Sequence, residues 1–353
     1  MTPCYAPPAL GFTEEHELAR QAARRFLAER APLSGLRSRG PTDFDRSLYR
    51  EMAELGWLAP EGGGLLRALL LEEMGRVLLP SPYFASLLAL LTLDADGPEA
   101  SAILRGERIA TLAHVEPGGA WLPDALTTRS DGQLLHGEKS RVPWGEAAEL
   151  AVVAAREPGG EVALFCLELP GHGVTVIPEQ CVDATRPTAR LLLDGARPSA
   201  RLGGDGRTRL CDALLRGAAL LASEMVGAAE ALMTMTRDYA IDRKQFGRAI
   251  GSFQAVKHPI VDAMIGIELT RNLALGAASL LDSEGFQAPA HMAKAMASDV
   301  FSATARKGVQ LHGGFGFTWD ADVHFFFKRA LDSRSSLGDA SYHRRALAKL
   351  LFD

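Results

Sequence analysis

The sequence lacks the features of a disulfide scaffold, a metal centre or a nucleic-acid-binding surface. Its 353 residues include four cysteines, which form no CxxC pair and no metal-ligand spacing. We therefore expect a protein of the reducing cytoplasm. The formal net charge is −5, so no broad basic field attracts nucleic acid. The first ten residues, MTPCYAPPAL, have no basic n-region, and we expect no signal peptide.

Long uncharged runs are scarce. The longest in the N-terminal third, Val77–Leu93, is broken by two prolines and is shorter than the ~20 residues that a membrane span needs. Leu210–Met235 is longer and rich in Ala and Leu, but charged residues interrupt it, among them Arg216, Glu224 and Glu230. This pattern predicts a helix packed in a bundle, and no membrane span.

The common catalytic motifs are also missing. There is no GxGxxG after a strand, no GxxxxGK, no HExxH and no GxSxG. None of the nine histidines pairs at helical spacing with a carboxylate nearby, so the sequence predicts no metal site.

The residues that are present fall into three regions. Helical periodicity runs from Phe12 to about Leu93, with Arg46–Leu58 and Leu65–Leu79 as two further helices and Pro60–Gly64 as the break between them. Short β-like runs, such as LAVVAA and EVALFCLEL, follow, and helical periodicity then returns almost to the end. We predict an α+β protein, mainly α, with boundaries at residues 1–108, 109–205 and 206–353.

Two stretches of the C-terminal region carry candidate chemistry. The first, RKQFGRAIGSFQAVKH, places Arg243, Phe246 and Gln254 around a glycine break, and a guanidinium with an aromatic ring and an amide can hold a diphosphate and a base. Taken alone, the stretch is better explained as a plain helix–helix turn with a solvated Arg and a core Phe.

The second stretch, VQLHGGFGFTWD, has three glycines within four residues. These end a helix and leave backbone N–H groups open to a ligand or another chain. Taken alone, it too can be a simple helix C-cap and turn.

Together, R-x-Q-F-G…F-Q-x-V-x-H and Q-L-H-G-G-x-G-x-T resemble the acyl-CoA dehydrogenase family. FTEEHELARQAARRFL and LGWLAPEGGG resemble its N-terminal domain, and VEPGG, DGQLLHGEKSRVPWGEAAELAVVAA and VDATRPTARLLLDG resemble its middle domain. The resemblance implies an N-terminal helical domain, a β-barrel-like middle domain and a C-terminal four-helix bundle. It also implies FAD held between domains and across a subunit interface, in a homo- or hetero-oligomer (dimer or tetramer).

The resemblance assigns the cofactor residues. Arg243, Phe246 and Gln254 fall where the family contacts the FAD diphosphate and adenosine. Gln310, Gly313 and Gly314 fall where a neighbouring subunit completes that site.

The middle domain departs from the family pattern. His114-Val115 precedes Glu116-Pro117 where the family usually has Ser or Thr. After Gly137-Glu138-Lys139 the chain has Arg141-Val142-Pro143 where an aromatic and a hydroxyl residue usually face the flavin. Contacts to the flavin would have to be rebuilt there, with Trp144 as a candidate.

The family reaction needs a carboxylate that removes the α-proton of an acyl thioester while the β-hydrogen leaves as hydride to the flavin. One branch of the family has this Glu where the present chain has Leu337. Another branch has it on an earlier helix, at Gly217 of this chain. Both positions lack a base.

Three explanations stay open for the missing base. Asp339 could serve as the base, although it could equally cap the last helix. Glu224 or Glu230 could reach the site. Alternatively, the chain is one half of a heteromer whose partner carries the base, which we favour because VDATRPTARLLLDG resembles actinobacterial members that act on sterol or other bulky acyl-CoA esters.

The resemblance also allows other activities of the same scaffold. A flavin-dependent monooxygenase needs no Glu base, and a non-catalytic subunit would only bind and stabilise a partner. For a dehydrogenase, the resemblance implies an acyl-CoA substrate and an electron-transfer flavoprotein as acceptor, and the acyl group itself stays open.

Overall fold

The computed structural model describes residues 12–40, 43–58 and 63–352. The stretch MTPCYAPPAL, with Cys4, lies outside the described residues, as does most of the Pro60–Gly64 break.

The N-terminal helices are α1 (Glu14–Arg30), α2 (Arg46–Glu54), α3 (Gly63–Arg76), α4 (Tyr83–Leu90) and α5 (Pro98–Leu104). The strands are β1 (Ala110–Ala113), β2 (Arg129–Ser130), β3 (Leu135–Pro143), β4 (Leu150–Arg156), β5 (Val162–Glu168), β6 (Val174–Glu179), β7 (Thr188–Ala196) and β8 (Ala200–Arg201). The C-terminal region contains α6 (Gly206–Asp242), a hairpin of β9 (Lys244–Gln245) and β10 (Arg248–Ala249), α7 (Gln254–Ser279), α8 (Gln287–His312), α9 (Val323–Ser335) and α10 (Ala340–Phe352).

Local side-chain chemistry sets the helix ends. At α2, the carboxylate of Asp45 accepts hydrogen bonds from the backbone N–H groups of Ser47 and Leu48. The predicted helix Arg46–Leu58 is shorter than expected, because Gly56 adopts a φ of 76°. The Trp57 N–H bonds to the Met52 carbonyl and closes the helix C-terminus there.

The predicted β-like runs form one sheet. Its strand order is β6-β7-β3-β2-β4-β5-β8, and β1 pairs in parallel with β4. LAVVAA forms β4 and VALFCLE forms β5, and these two strands pair antiparallel along their whole length. Both are almost entirely buried, which explains why they read as continuous apolar runs. The predicted fold class, a mainly helical α+β protein with a central sheet, is confirmed.

The chain divides into two compact units. One contains residues 1–38, 61–79 and 218–353, and the other contains residues 39–60 and 80–217. The division falls inside α6, so it differs from the boundaries expected from sequence texture, which stay a prediction.

The first unit is a helical assembly in which α3 and α6 approach closely. A Cβ atom added at Gly75 would overlap the Glu224 carbonyl, and one added at Gly227 would overlap the Glu72 carbonyl. Helix α6 is long and apolar enough to cross a membrane by length and composition, so the charged residues within Leu210–Met235 do not by themselves exclude a span. Its most apolar window is 78% buried inside the structure, as in the core helix of a bundle.

The second unit is built on the sheet and has a buried ion pair at its centre. Lys139 Nζ donates to Glu116 at 2.7 Å, and the backbone N–H groups of Thr127 and Thr128 bond to the same carboxylate. Burial opposes the charge on Glu116, but Lys139 and these donors outweigh it and lower its pKa to about 2. Glu116 of the VEPGG stretch is therefore a structural carboxylate.

Candidate functional site

The first candidate stretch forms a tight hairpin after α6. Strands β9 and β10 pair antiparallel, and Phe246 and Gly247 occupy the turn with φ values of 53° and 79°. Two consecutive positive φ values fit a type I′ turn. Glycine adopts a positive φ readily, whereas a bulky aromatic residue rarely does. The Phe246 side chain is 92% exposed at the hairpin tip. Arg243 lies at the base of the hairpin, where its carbonyl accepts from the Ile250 N–H.

The second stretch ends α8 and turns sharply. Gly313 has a φ of 61°, and its N–H bonds to the Gln310 carbonyl. Nothing lies within 4 Å of a Cβ atom built on Gly313 or Gly314, so ligand or protein atoms can approach this backbone closely. Gly316 is different, because a Cβ there would lie 2.9 Å from both His312 Cβ and the Val309 carbonyl.

The two stretches meet in one open cleft of about 660 Å³. Its lining residues come from the end of α6, the hairpin and the end of α8: Tyr239, Arg243, Gln245, Ile250, Leu311, His312, Gly313, Gly314 and Phe315. The structure therefore brings together three of the six predicted cofactor residues, Arg243, Gly313 and Gly314. The resemblance assigned the two glycines to the part of the site completed by a neighbouring subunit, whereas here they line the same cleft as Arg243 of the same chain. The other three, Phe246, Gln254 and Gln310, are exposed and do not line this cleft.

Three aromatic rings in the cleft wall were not predicted from the sequence. The rings of Tyr239 and His312 stack with centroids 4.4 Å apart, and Tyr239 stacks with Phe315 at 6.0 Å. Tyr239 Oη donates to the His312 carbonyl at 3.4 Å. Tyr239 could have been found from its spacing, because it precedes Arg243 by four residues, about one helical turn.

The charge in this cleft is positive. Arg243 is exposed, and no carboxylate in the described ranges pairs with it. A guanidinium without an internal partner, beside open glycine backbone and a stacked aromatic wall, suits an anionic ligand with a planar ring.

A second feature is the turn between α9 and α10, where the sequence predicted a missing base. Leu337 has a φ of 57° and Gly338 a φ of 96°, and the Leu337 side chain is buried. Lys294 Nζ donates to the Gly338 carbonyl at 2.9 Å and to the Ser333 carbonyl at 3.1 Å. His343 Nε2 bonds to the Leu337 carbonyl at 3.0 Å. We call this turn, with its two donors, the 337 turn.

The protonation of His343 follows from its partners. A carbonyl only accepts, so His343 Nε2 carries the hydrogen. Burial, then Lys294 and His291, lower the pKa of His343 to about 3, so the ring is neutral at pH 7 and its Nδ1 accepts. The Nδ1 of His291, 2.8 Å away, must therefore donate. The 337 turn is thus held by a chain of two histidines that links α8 to α10.

The three acidic candidates for the base are engaged in other contacts. The carboxylate of Asp339 accepts from the Tyr342 N–H at 2.7 Å and caps α10. Glu224 forms a buried ion pair with Arg329. Glu230 pairs with Arg76 and Arg271 and, although burial favours the neutral acid, these arginines hold its pKa below the ordinary value. Gly217 is buried within α6.

The comparisons with known proteins agree with the fold. Family models described as acyl-CoA dehydrogenase, N-terminal domain, and acyl-CoA dehydrogenase, C-terminal domain, match residues 13–101 and 204–352. The acyl-CoA dehydrogenase IpdE2 of Mycobacterium tuberculosis is 31% identical over 338 residues, covering 92% of this chain and 93% of that protein. The chain belongs to the acyl-CoA dehydrogenase family. Members of this family are oxidoreductases that act on the CH–CH bond of acyl-CoA esters.

Two solved structures of the acyl-CoA dehydrogenase family are similar over nearly the whole chain. The Tcur3481–Tcur3483 steroid ACAD has a TM-score of 0.85 at 28% identity and covers 97% of this chain and 98% of its own. The ChsE4–ChsE5 complex from Mycobacterium tuberculosis has a TM-score of 0.86 at 25% identity, with 98% and 99% covered. Both are named as pairs of different proteins.

The end of β3, where the sequence departs from the acyl-CoA dehydrogenase pattern, has an irregular backbone. Arg141 has a φ of 51°, and its N–H donates to Glu179 at 2.7 Å, beside a bulge between β3 and β7. Pro143 offers no N–H. Trp144, the candidate for rebuilt flavin contacts, is buried and packs edge-on against Phe44. In this unit Trp144 therefore fills the core.

Proposed function

We propose that this chain is an FAD-dependent acyl-CoA dehydrogenase subunit that works with a partner chain, and that the partner supplies the catalytic base. The observation that carries the proposal is the 337 turn. Its backbone is ordered by Lys294 and His343, yet the side chain at the base position is a leucine.

The cleft fits the diphosphate and adenosine half of FAD. Arg243 would pair with the diphosphate, the open backbone at Gly313 and Gly314 would admit it closely, and the aromatic wall would face a planar base. When bound, FAD would supply the acceptor for the β-hydrogen of the substrate.

The chain has no good base of its own among the acids considered. A carboxylate paired with arginine is a weak base because the guanidinium stabilises its charged form, and this applies to Glu230. Glu224 is buried in its ion pair with Arg329. Asp339 is fixed as a helix cap. We therefore assign removal of the α-proton to a group of the partner chain.

An exposed apolar face on α7 supports a partner of similar kind. Val261, Met264, Ile265 and Leu269 recur at helical spacing and are between 48% and 56% exposed. Contiguous exposed apolar surface marks interaction sites, and two similar solved structures are named as pairs of chains. By analogy with those relatives we propose a bulky, steroid-like acyl-CoA as substrate, an electron-transfer flavoprotein as acceptor and a cytoplasmic location.

The first prediction concerns the cofactor. Arg243→Ala should reduce FAD retention at least about tenfold, because a charge-assisted contact to the diphosphate is lost. Lys244→Ala is the matched control, since Lys244 is exposed on the same hairpin and does not line the cleft. Flavin content after gel filtration, read from absorbance, measures the effect in the chain co-expressed with a candidate partner subunit.

Equal flavin content in Arg243→Ala and in the control would contradict the cofactor assignment. The absorbance assay also separates the activities. Bleaching of the flavin by an acyl-CoA supports dehydrogenation, whereas bleaching only by a flavin reductase would favour an oxygenase.

A further inference from the structure

The imidazole of His312 occupies an unusual place in the cleft wall. His312 is the last residue of α8, and its ring is buried against Tyr239 while still lining the cleft. Its Nδ1 lies 2.8 Å from the Gly308 carbonyl. Because a carbonyl only accepts, Nδ1 carries the hydrogen.

The other ring nitrogen is left as an acceptor. Burial lowers the pKa of His312, only partly offset by the Gly308 carbonyl, so the ring is neutral at pH 7. Its Nε2 then presents a lone pair, and none of the described residues donates a hydrogen bond to it. The surroundings fix the ring, because Tyr239 stacks on one face and Gly316 packs against its Cβ.

The cleft therefore offers two different recognition groups. Arg243 is a donor that attracts an anion, and His312 Nε2 is an acceptor held at a fixed orientation. A simple anion such as pyrophosphate satisfies only the first group. A nucleoside diphosphate satisfies both, because its ribose hydroxyls and the amino group of adenine are donors.

We propose that His312 is a binding residue that accepts a hydrogen bond from the nucleoside part of the ligand and so distinguishes a nucleotide from a bare diphosphate. The inference rests on the proposed function, since it deepens the assignment of this cleft to the adenosine diphosphate half of the cofactor.

The structure also indicates a matched substitution. His312→Leu replaces the ring with an apolar side chain of similar size and so removes both nitrogens. His312→Gln keeps one donor for the Gly308 carbonyl and one acceptor for the ligand, so it should restore much of the binding. Lys307→Ala, an exposed position on α8, controls for general effects on the helix.

Calorimetric titration of the flavin-free full-length chain with ADP and with pyrophosphate tests the inference. His312→Leu should weaken ADP binding about tenfold and leave pyrophosphate binding unchanged, because only the nucleoside contact is lost. Arg243→Ala should weaken both. Repeating the titration with inosine diphosphate identifies the donor: an equal loss indicates the ribose, and a loss confined to ADP indicates the amino group.

The contrary outcomes are distinct. Suppose that ADP binds the wild type and that its affinity depends on Arg243. If His312→Leu then changes the affinities for ADP and pyrophosphate equally, or changes neither, the role of His312 is refuted while the cleft assignment survives. If His312→Leu does not fold, failure of His312→Gln to bind ADP better than pyrophosphate refutes it instead. Absence of binding by either probe to the wild type overturns both the inference and the assignment of the cleft.

Discussion

The carboxylate of Asp339 lies at the start of α10 and accepts the N–H of Tyr342, three residues further on. This is the geometry of an N-cap, in which a short polar side chain satisfies a backbone donor that the helix leaves free. Asp339 also lies two positions beyond Leu337, where the base is expected. An aspartate at this position is therefore compatible with a helix cap and with a catalytic base.

Two substitutions separate these roles. Asp339→Asn keeps a cap acceptor and removes the acid–base group, so it should change the stability little and leave the activity of the complex within about twofold. Asp339→Ala removes the cap and should lower the free energy of unfolding by about 1 kcal/mol. Denaturant titration and the acyl-CoA dehydrogenase rate measure the two effects.

A rate loss of several orders of magnitude in Asp339→Asn, with stability unchanged, would identify Asp339 as the base and remove the need for a partner's carboxylate.

At the scale of elements, α8, α10 and the 337 turn are joined by His291, His343 and Lys294. This link depends on pH, because the folded protein keeps His343 neutral while the unfolded chain takes up a proton near the ordinary histidine pKa. The folded pKa, about 3, is lower than the unfolded value. The contribution to stability is therefore complete above about pH 6.5 and is lost progressively as the pH falls toward 3.

We accordingly predict that the free energy of unfolding decreases on acidification and that His343→Gln flattens this decrease. Between about pH 6.5 and about pH 5, protonation of His343 should account for about 2 kcal/mol of the decrease in the free energy of unfolding. His343→Gln will also be less stable at neutral pH, so the quantity to compare is the slope against pH.

Urea titrations at several pH values give these slopes. His172→Gln, at an exposed histidine, is the control and should reproduce the wild-type slope. Burial also lowers the pKa of His114, to about 4. His114 therefore contributes to the pH dependence of stability in the same range, but it is present in every variant. Parallel slopes for wild type and His343→Gln would show that the two histidines do not hold the turn in the manner described.

At the scale of the whole molecule, the apolar face of α7 should be an interface. Ile265→Lys places a charge in the middle of the stripe and should weaken association with the co-expressed partner subunit by at least about tenfold, because a lysine buried in an apolar interface is costly. Since Ile265 is exposed in the single chain, the fold should remain. Ala28→Lys, on an exposed face of α1, adds the same charge elsewhere as the control.

Native mass spectrometry with flavin quantification tests this prediction on the chain alone, on the chain with the candidate partner subunit, and on each variant with that subunit. Loss of the heteromeric species only in Ile265→Lys is the expected result. A heteromer that tolerates Ile265→Lys would place the interface elsewhere, and a homo-oligomer with full flavin content and activity would contradict the proposed division of labour.

The fold was largely predictable because its signals are local. Continuous apolar runs identified β4 and β5, and Ala-rich periodicity identified α6. The cleft was predictable only in part. Arg243 and Gly313 lie in recognisable stretches, but the Tyr239–His312–Phe315 stack requires the end of α6 to meet the end of α8. The support of the 337 turn was not predictable, because Lys294 and His291 lie more than forty residues before it.

The 337 turn has one further consequence. The hydrogen bonds that Lys294 and His343 donate to the turn end on backbone carbonyls, and none of these involves the side chain of residue 337. Shape and reactivity are therefore encoded by different residues. A duplicated gene can exchange a carboxylate for an aliphatic group at this position while the loop keeps its form, so a catalytic subunit and a supporting subunit can diverge through a single codon.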